Sequence, residues 1–148
     1  MLVTDSITRL IHLCEIIPPL LSKIENPAFS IKPAPDKWSK KQIIGHLIDS
    51  ATNNHQRFVR GQFEASPQIY YDQNKWNAFG YYDKMNGQHI IALWSAYNKV
   101  LAELIKNIPE ENLQLGCLSR DNTLLTLEFL INDYVAHLEH HLRQAVEY

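Results

Sequence analysis

The stretch DYVAHLEHHLRQ, residues 133–144, holds three histidines within five positions. Side chains four residues apart on an α-helix are offset by about 40° and point the same way. His137 and His141 therefore share a face, and Tyr134 and Leu138 tie that face to an apolar stripe. His140 is turned by about 60° from His137 in projection and is expected at the rim. Two imidazoles on adjacent turns can grip one divalent cation but leave it short of ligands. Taken alone, such a pair is equally compatible with histidines that are merely solvated.

A third ligand has to come from another helix. His46, in IIGHLIDS, is the best candidate, and from it runs a polar row: His46, Asp49, Ser50, Asn53 and Arg57. Their spacing places them on one helix face. Ile44, Leu47, Ile48, Ala51 and Phe58 form an adjacent apolar face. The polar row is either a solvated surface or the wall of a polar pocket. His12, His55, His89 and His140 have no comparable setting and are expected at the surface. The spacing permits a three-histidine site without establishing one. Neutral imidazoles with open coordination positions suit zinc or nickel foremost, with iron or manganese as alternatives. A closed structural site would need a fourth protein ligand, and neither Cys14 nor Cys117 has a motif around it.

The elements that must position these residues read as four helices. The first is expected from about Asp5 to Lys23, with Ile7, Leu10, Ile11, Cys14, Ile17 and Leu21 on one face. Pro18 and Pro19 predict a kink or restart, because each lacks a backbone donor. A proline-rich loop follows. Ser39 with Gln42 fits a capping box, so a second helix is expected from Ser39 to about Gly61. Residues 62–86 lack a sustained helical period and are crowded with Tyr, Trp and Phe, which predicts a long crossover packed onto the bundle. The third helix spans about Gly87 to Asn107. A short linker leads to the fourth, from Thr123 to about Glu147. The pattern predicts an all-α four-helix bundle, one domain over residues 1–148, with its long crossover between the second and third helices.

Composition narrows the function classes. The chain has 148 residues, enough to bury a core. Its net charge of −2 supplies no basic field for a phosphate backbone, so no nucleic-acid partner is expected. The N-terminal residues form neither a signal peptide nor a membrane span, so no membrane partner is expected. Two cysteines without a CxxC pair fit a reducing cytoplasm.

WSKKQIIGHLIDSATNNHQRF, YDQNKWNAFGYYD and LINDYVAHLEHHLRQ together resemble the three signature regions of the DinB-like superfamily, in its YfiT-like branch of metal-dependent hydrolases and thiol S-transferases. The resemblance runs from the second helix onward. It implies a bundle with a long crossover and a divalent metal held by His46, His137 and His141. It also places Asp49, Asn53 and Arg57 in the second-helix signature as catalytic candidates. Asp72 and Trp76 fall in the middle region as candidates for binding a cosubstrate. What it implies for activity is transfer of a low-molecular-weight thiol, such as bacillithiol or mycothiol, to a small electrophile in detoxification or stress. In that reading Asp49 orients a ligand histidine or moves a proton. Arg57 holds a carboxylate, and Trp76 walls the pocket with Tyr70, Tyr71 and Phe79. For the rings, core packing is the competing role; for Arg57, it is a surface ion pair. Water activation by the same ion, giving a hydrolase, and a non-enzymatic metal-binding bundle are the alternatives. A homodimer is also implied, with no interface marked in the sequence.

Overall fold

The structure, a computed structural model, describes residues 2–148. Its elements in chain order are α1 (Val3–Ser22), α2 (Lys40–Arg60), α3 (Gln73–Gly80), α4 (Gly87–Asn107), β1 (Gly116–Leu118), β2 (Leu124–Thr126) and α5 (Leu127–Ala145). The four long helices α1, α2, α4 and α5 are the four expected, and they form the bundle. No helix among the described residues is long and apolar enough to cross a membrane.

The packing order differs from the chain order. α1 packs on α4 and α5, and α2 packs on the same two. Helices consecutive along the chain, α1 with α2 and α4 with α5, thus stand across the diagonal. A tight hairpin turn cannot join diagonal partners, so residues 23–39 and 108–126 make longer connections. The crossover of residues 61–86 joins the neighbours α2 and α4 and is long because it carries α3. The core between them is apolar and close-packed: Leu10, Leu13, Ile17, Ile44, Leu47, Trp94, Leu101, Ile131 and Leu138 have essentially no exposed surface. Within it Tyr134 donates to Asn98 Oδ1 at 2.6 Å, and Asn98 Nδ2 donates to the Trp94 carbonyl at 2.8 Å. The buried amide and hydroxyl are thereby paired, as desolvation requires.

Several expectations change. α1 runs unbroken through Pro18 and Pro19. The prolines sit near its C-terminal end, where few intrahelical bonds remain to be lost, and buried Ile17 and Leu21 hold the turn against the core. Leu13, not Ile11, completes the inner face; Ile11 is exposed. The crossover contains a helix, α3, started by Asp72, whose carboxylate accepts from the Lys75 amide at 3.1 Å. Its rings are not all packed away, for Phe63, Tyr70, Trp76 and Phe79 remain exposed. The linker before α5 is not plain loop either. β1 and β2 pair antiparallel there, with Cys117 opposite Leu125. α5 accordingly begins at Leu127 rather than Thr123, with the Thr126 side chain accepting from the Phe129 amide.

The start of α2 matches its capping box. The Ser39 hydroxyl accepts from the Gln42 amide at 3.1 Å, and the Gln42 side chain accepts from the Ser39 amide at 3.0 Å. One turn further on, Gly45 sits mid-helix, where glycine ordinarily costs about 1 kcal/mol relative to alanine. The Tyr82 ring explains it: a Cβ on Gly45 would lie 2.2 Å from Tyr82 Cδ2. Gly45→Ala is therefore expected to lower the free energy of unfolding by about 1–3 kcal/mol despite its better helix propensity. Urea denaturation checks this, and a neutral or stabilising result would mean that Tyr82 is free to move away.

Candidate metal centre

The capping box sets where α2 begins and so places His46 in its second turn, facing α5. The Thr126 cap does the same for α5, whose middle turns carry His137 and His141. Apolar neighbours seat both segments: Ile44 and Leu47 flank His46, and Leu138 and Leu142 flank the other two, all four inaccessible or nearly so. His46 is fully buried, while His137 and His141 are partly exposed. The ring centroids lie 5.2 Å apart for His46 and His137, 4.7 Å for His46 and His141, and 4.6 Å for His137 and His141.

The nitrogens converge more closely than the rings. Nε2 of His46 lies 3.4 Å from Nε2 of His137, and one ligating nitrogen from each of the three histidines lies within 4.8 Å of the others. Two imidazoles bound to one ion at about 2.0–2.1 Å in tetrahedral geometry hold their nitrogens about 3.3 Å apart. A direct N–H···N hydrogen bond at 3.4 Å would be long. The spacing thus fits a shared cation better than a bond between the rings. No cysteine or carboxylate joins the cluster among the described residues. Cys14 and Cys117 are buried and free, and burial pushes the Cys14 thiol up to about 11.

Electrostatics keeps the donors available. Burial, reinforced by His141 and His137, pushes His46 down to about 3. Burial also holds His137 and His141 below the ordinary histidine value, with neighbouring histidines adding to the effect. All three rings are then neutral near pH 7 and carry free lone pairs. His141 Nδ1 donates to Gln144 Oε1 at 3.0 Å, which leaves Nε2 as its acceptor nitrogen. Trp38 lies against His46 with ring centroids 4.7 Å apart and also faces His141 at 6.3 Å. Nδ1 of His46 is buried without a hydrogen-bond partner.

The polar row from His46 is a pocket wall. Asp49, Ser50 and Asn53 are each less than one-tenth exposed. Asp49 Oδ1 accepts from the Tyr82 hydroxyl at 2.5 Å, while its Oδ2 is buried without a partner. Burial raises the Asp49 carboxyl above the usual range, and the Tyr82 bond partly offsets that. Asn53 lines two cavities. One, of about 190 Å³, also takes in His137, Ser50, Arg57 and Tyr71; the other, of about 440 Å³, takes in Asp49, Tyr70, Tyr71 and Trp76.

The remaining candidates divide. The Nε and Nη2 groups of Arg57 both donate to the Ile69 carbonyl, at 3.0 and 2.8 Å. Its fork thus ties the crossover to α2, which is neither a free anion clamp nor a surface ion pair. Trp76 stands edge-on to Tyr71, with centroids 5.8 Å apart, and walls the larger polar cavity. Asp72 is an exposed helix cap and lines neither cavity. Phe79 lies outside both, beside Asp49 and Tyr82 in a third opening. His140 is exposed, as its angle implied. His55 is partly buried, paired with the Tyr97 hydroxyl at 2.9 Å rather than standing free at the surface. Residue reasoning missed Trp38, Tyr82 and Gln144. Only Gln144 left a local signal, at three residues from His141 on the same helix.

Comparison with known proteins places this arrangement. The "Putative metal-dependent hydrolase YfiT" of Bacillus subtilis (strain 168) is 26% identical over 112 residues, covering 74% of this chain and 63% of that protein. The matched region thus spans less than two-thirds of that relative's length. The solved structure of YfiT, described as having an unusual four-helix bundle topology, superposes with a TM-score of 0.88 at 21% identity, over 97% of this chain and 83% of that one. A histidine-to-alanine mutant of a mycothiol-dependent maleylpyruvate isomerase superposes at 0.80 with 12% identity, over 100% of this chain and 62% of its own. Both likenesses are of fold. The sequence pattern of the DinB superfamily matches residues 15–145, from the middle of α1 to the end of α5, and the chain belongs to that superfamily.

Proposed function

We propose that this chain is a metal-dependent enzyme that transfers a low-molecular-weight thiol to a small electrophile, with His46, His137 and His141 as ligands. The observation that carries the metal reading is the 3.4 Å approach of two neutral imidazole nitrogens from different helices. When bound, a divalent cation such as zinc or nickel supplies a Lewis acid that favours the thiolate near neutral pH.

The chain's own residues supply the rest. Gln144 holds the His141 ring in the tautomer that leaves Nε2 free. Tyr82 anchors Asp49 by one oxygen, and the other oxygen is available as a proton acceptor for the thiol S–H. The raised carboxyl of Asp49 suits that role, because a stronger base takes a proton more readily. Asn53, Tyr71 and Trp76 line a polar cavity able to hold the hydrophilic body of the thiol. Arg57 keeps the crossover carrying those rings against α2. The mycothiol-dependent isomerase supports this reading by showing that thiol chemistry occurs on the fold. YfiT's description as a metal-dependent hydrolase favours the second reading, in which water takes the place of the thiol.

Three outcomes test the proposal. His46→Ala should bring metal content from about one ion per chain to a small fraction of that, because two ligands on one helix hold an ion poorly. His140→Ala should leave it unchanged. Elemental analysis beside circular dichroism reads both, and equal losses in the two variants would place the ligands on the wrong face. Metal-loaded protein should turn over monobromobimane or chlorodinitrobenzene only when bacillithiol, mycothiol or a related thiol is added. Asp49→Asn should slow that turnover by about 10²–10⁴-fold, the ordinary range for a lost general base. Ester hydrolysis without thiol would favour the water reading instead.

The third outcome concerns acid. In metal-stripped protein the folded His46 value of about 3 lies below its ordinary 6.5. The unfolded chain therefore takes up the proton first, so the stabilisation is complete above about pH 6.5 and is lost as pH falls toward 3. The urea midpoint should decline between about pH 7 and 4, and His46→Gln should flatten that decline. A midpoint equally pH-dependent in both proteins would assign the effect to other groups.

A further inference from the structure

Trp38 has a second face. It lines a cavity of about 810 Å³, larger than either polar cavity and sharing no lining residue with them. That volume lies in the range of small-molecule sites. Ala28, Ile31, Pro33, Trp38 and Ile43 give it an apolar side, and Asn74 and Gln144 are among its polar lining. Ile31 is 56% exposed, an apolar surface that the core does not use.

The mouth of this cavity carries charge. Lys37 and Lys40 line it against a single carboxylate, Asp36. Lys40 also opens α2, so the positive end of a helix of 21 residues lies at the same place. Both features favour an anion. Two lining residues touch the histidine cluster directly, Trp38 through its ring and Gln144 through its bond to His141. A molecule seated here is thus one side chain away from His46 and His141.

We propose that this cavity seats the apolar body of a small carboxylate, aromatic or branched aliphatic, with its anionic group toward Lys37 and Lys40. The same molecule, when it also carries a displaceable group such as a halide, is the electrophile that receives the thiol. The C–S bond forms as the carbon–halogen bond breaks, halide leaves and the S–H proton goes to Asp49. This second statement alone rests on the proposed function. The two substrates would then approach the histidine cluster from separate cavities, the thiol through the polar one and the acceptor past Trp38. A second copy of the chain is the rival occupant of an exposed apolar wall. The small-molecule size of the cavity and the two lysines argue for a small anion instead.

Naphthoate is a suitable probe, titrated into the intact, metal-loaded chain and read by calorimetry and by tryptophan fluorescence. Saturable one-site binding is expected, with naphthylmethanol, its neutral counterpart, weaker. Ile31→Asp should weaken naphthoate by about tenfold or more, and Lys37→Glu by about threefold to tenfold. Leu93→Asp, on the exposed side of α4, should change nothing; Leu93 and Ile31 are similarly exposed, so both variants test surface positions. Absence of saturable binding, or binding insensitive to Ile31→Asp and Lys37→Glu, overturns the site. Loss of a dimer in Ile31→Asp by sedimentation, with no naphthoate bound by the parent protein, assigns the face to self-association and overturns it as well. Naphthoate binding without thiol transfer to any carboxylate-bearing electrophile upholds the cavity and overturns the acceptor assignment. Binding to this cavity and thiol transfer thus fail separately.

Discussion

α2 and α5 pack closely enough that a nitrogen from each comes within 3.4 Å, with His46 buried and His137 only partly exposed. Such an approach is tolerable only for uncharged rings, since two buried imidazolium ions would repel each other and lack solvation. The apolar residues on either side therefore do more than fill space. Ile44 and Leu47 on one helix, with Leu138 and Leu142 on the other, hold the backbones together and exclude the solvent that would protonate the rings. The hydrophobic seam and the neutral donor set are two consequences of one packing event.

Around the cluster lies a layer of restraints, each committed to one job. Gln144 selects a tautomer, Trp38 limits the motion of His46, and Tyr82 fixes one oxygen of Asp49. Arg57 spends two donors on the Ile69 carbonyl, which keeps the ring-bearing crossover at the mouth of the site. The absent side chain of Gly45 belongs to the same layer, because the Tyr82 ring occupies the space that a Cβ would need. Three buried side-chain atoms among the described residues remain unpartnered: His46 Nδ1 and Asp49 Oδ2 on neighbouring turns of α2, and Trp94 Nε1 in the core. Buried polar atoms without partners are costly, and they mark where a ligand, a proton or a water has most to gain. The openings on either side differ in character. One is walled by amides, hydroxyls and rings, the other by aliphatic side chains with lysines at its edge.

How much of this was readable before folding depended on distance along the chain. The capping box of α2 and the shared face of His137 and His141 depend on contacts within one turn, and both appeared where spacing placed them. The meeting of His46 with them is a contact between helices far apart in sequence, which spacing permits but does not encode. Asp72 and Arg57 were identified as functional side chains, yet the structure shows an Asp72 bond that caps a helix and an Arg57 grip on a backbone carbonyl. A carboxylate before a short helix and a guanidinium near a loop look alike in sequence whether they serve substrate or backbone. The β1–β2 hairpin was missed because three-residue strands are too short to show an alternating period.

Residue order alone determined the four long helices, the cap of α2 and the side of each helix on which the histidines stand. These follow from periodicities of a few residues, which local backbone geometry enforces. Only the tertiary structure decided that α1 and α2 sit on opposite corners, that α2 therefore lies against α5, and that Trp38 and Tyr82 close around the cluster. Apart from Trp38 against His46, eight positions away, those contacts join residues dozens of positions apart, and their energy comes from burying surfaces against each other, which no short stretch of sequence encodes.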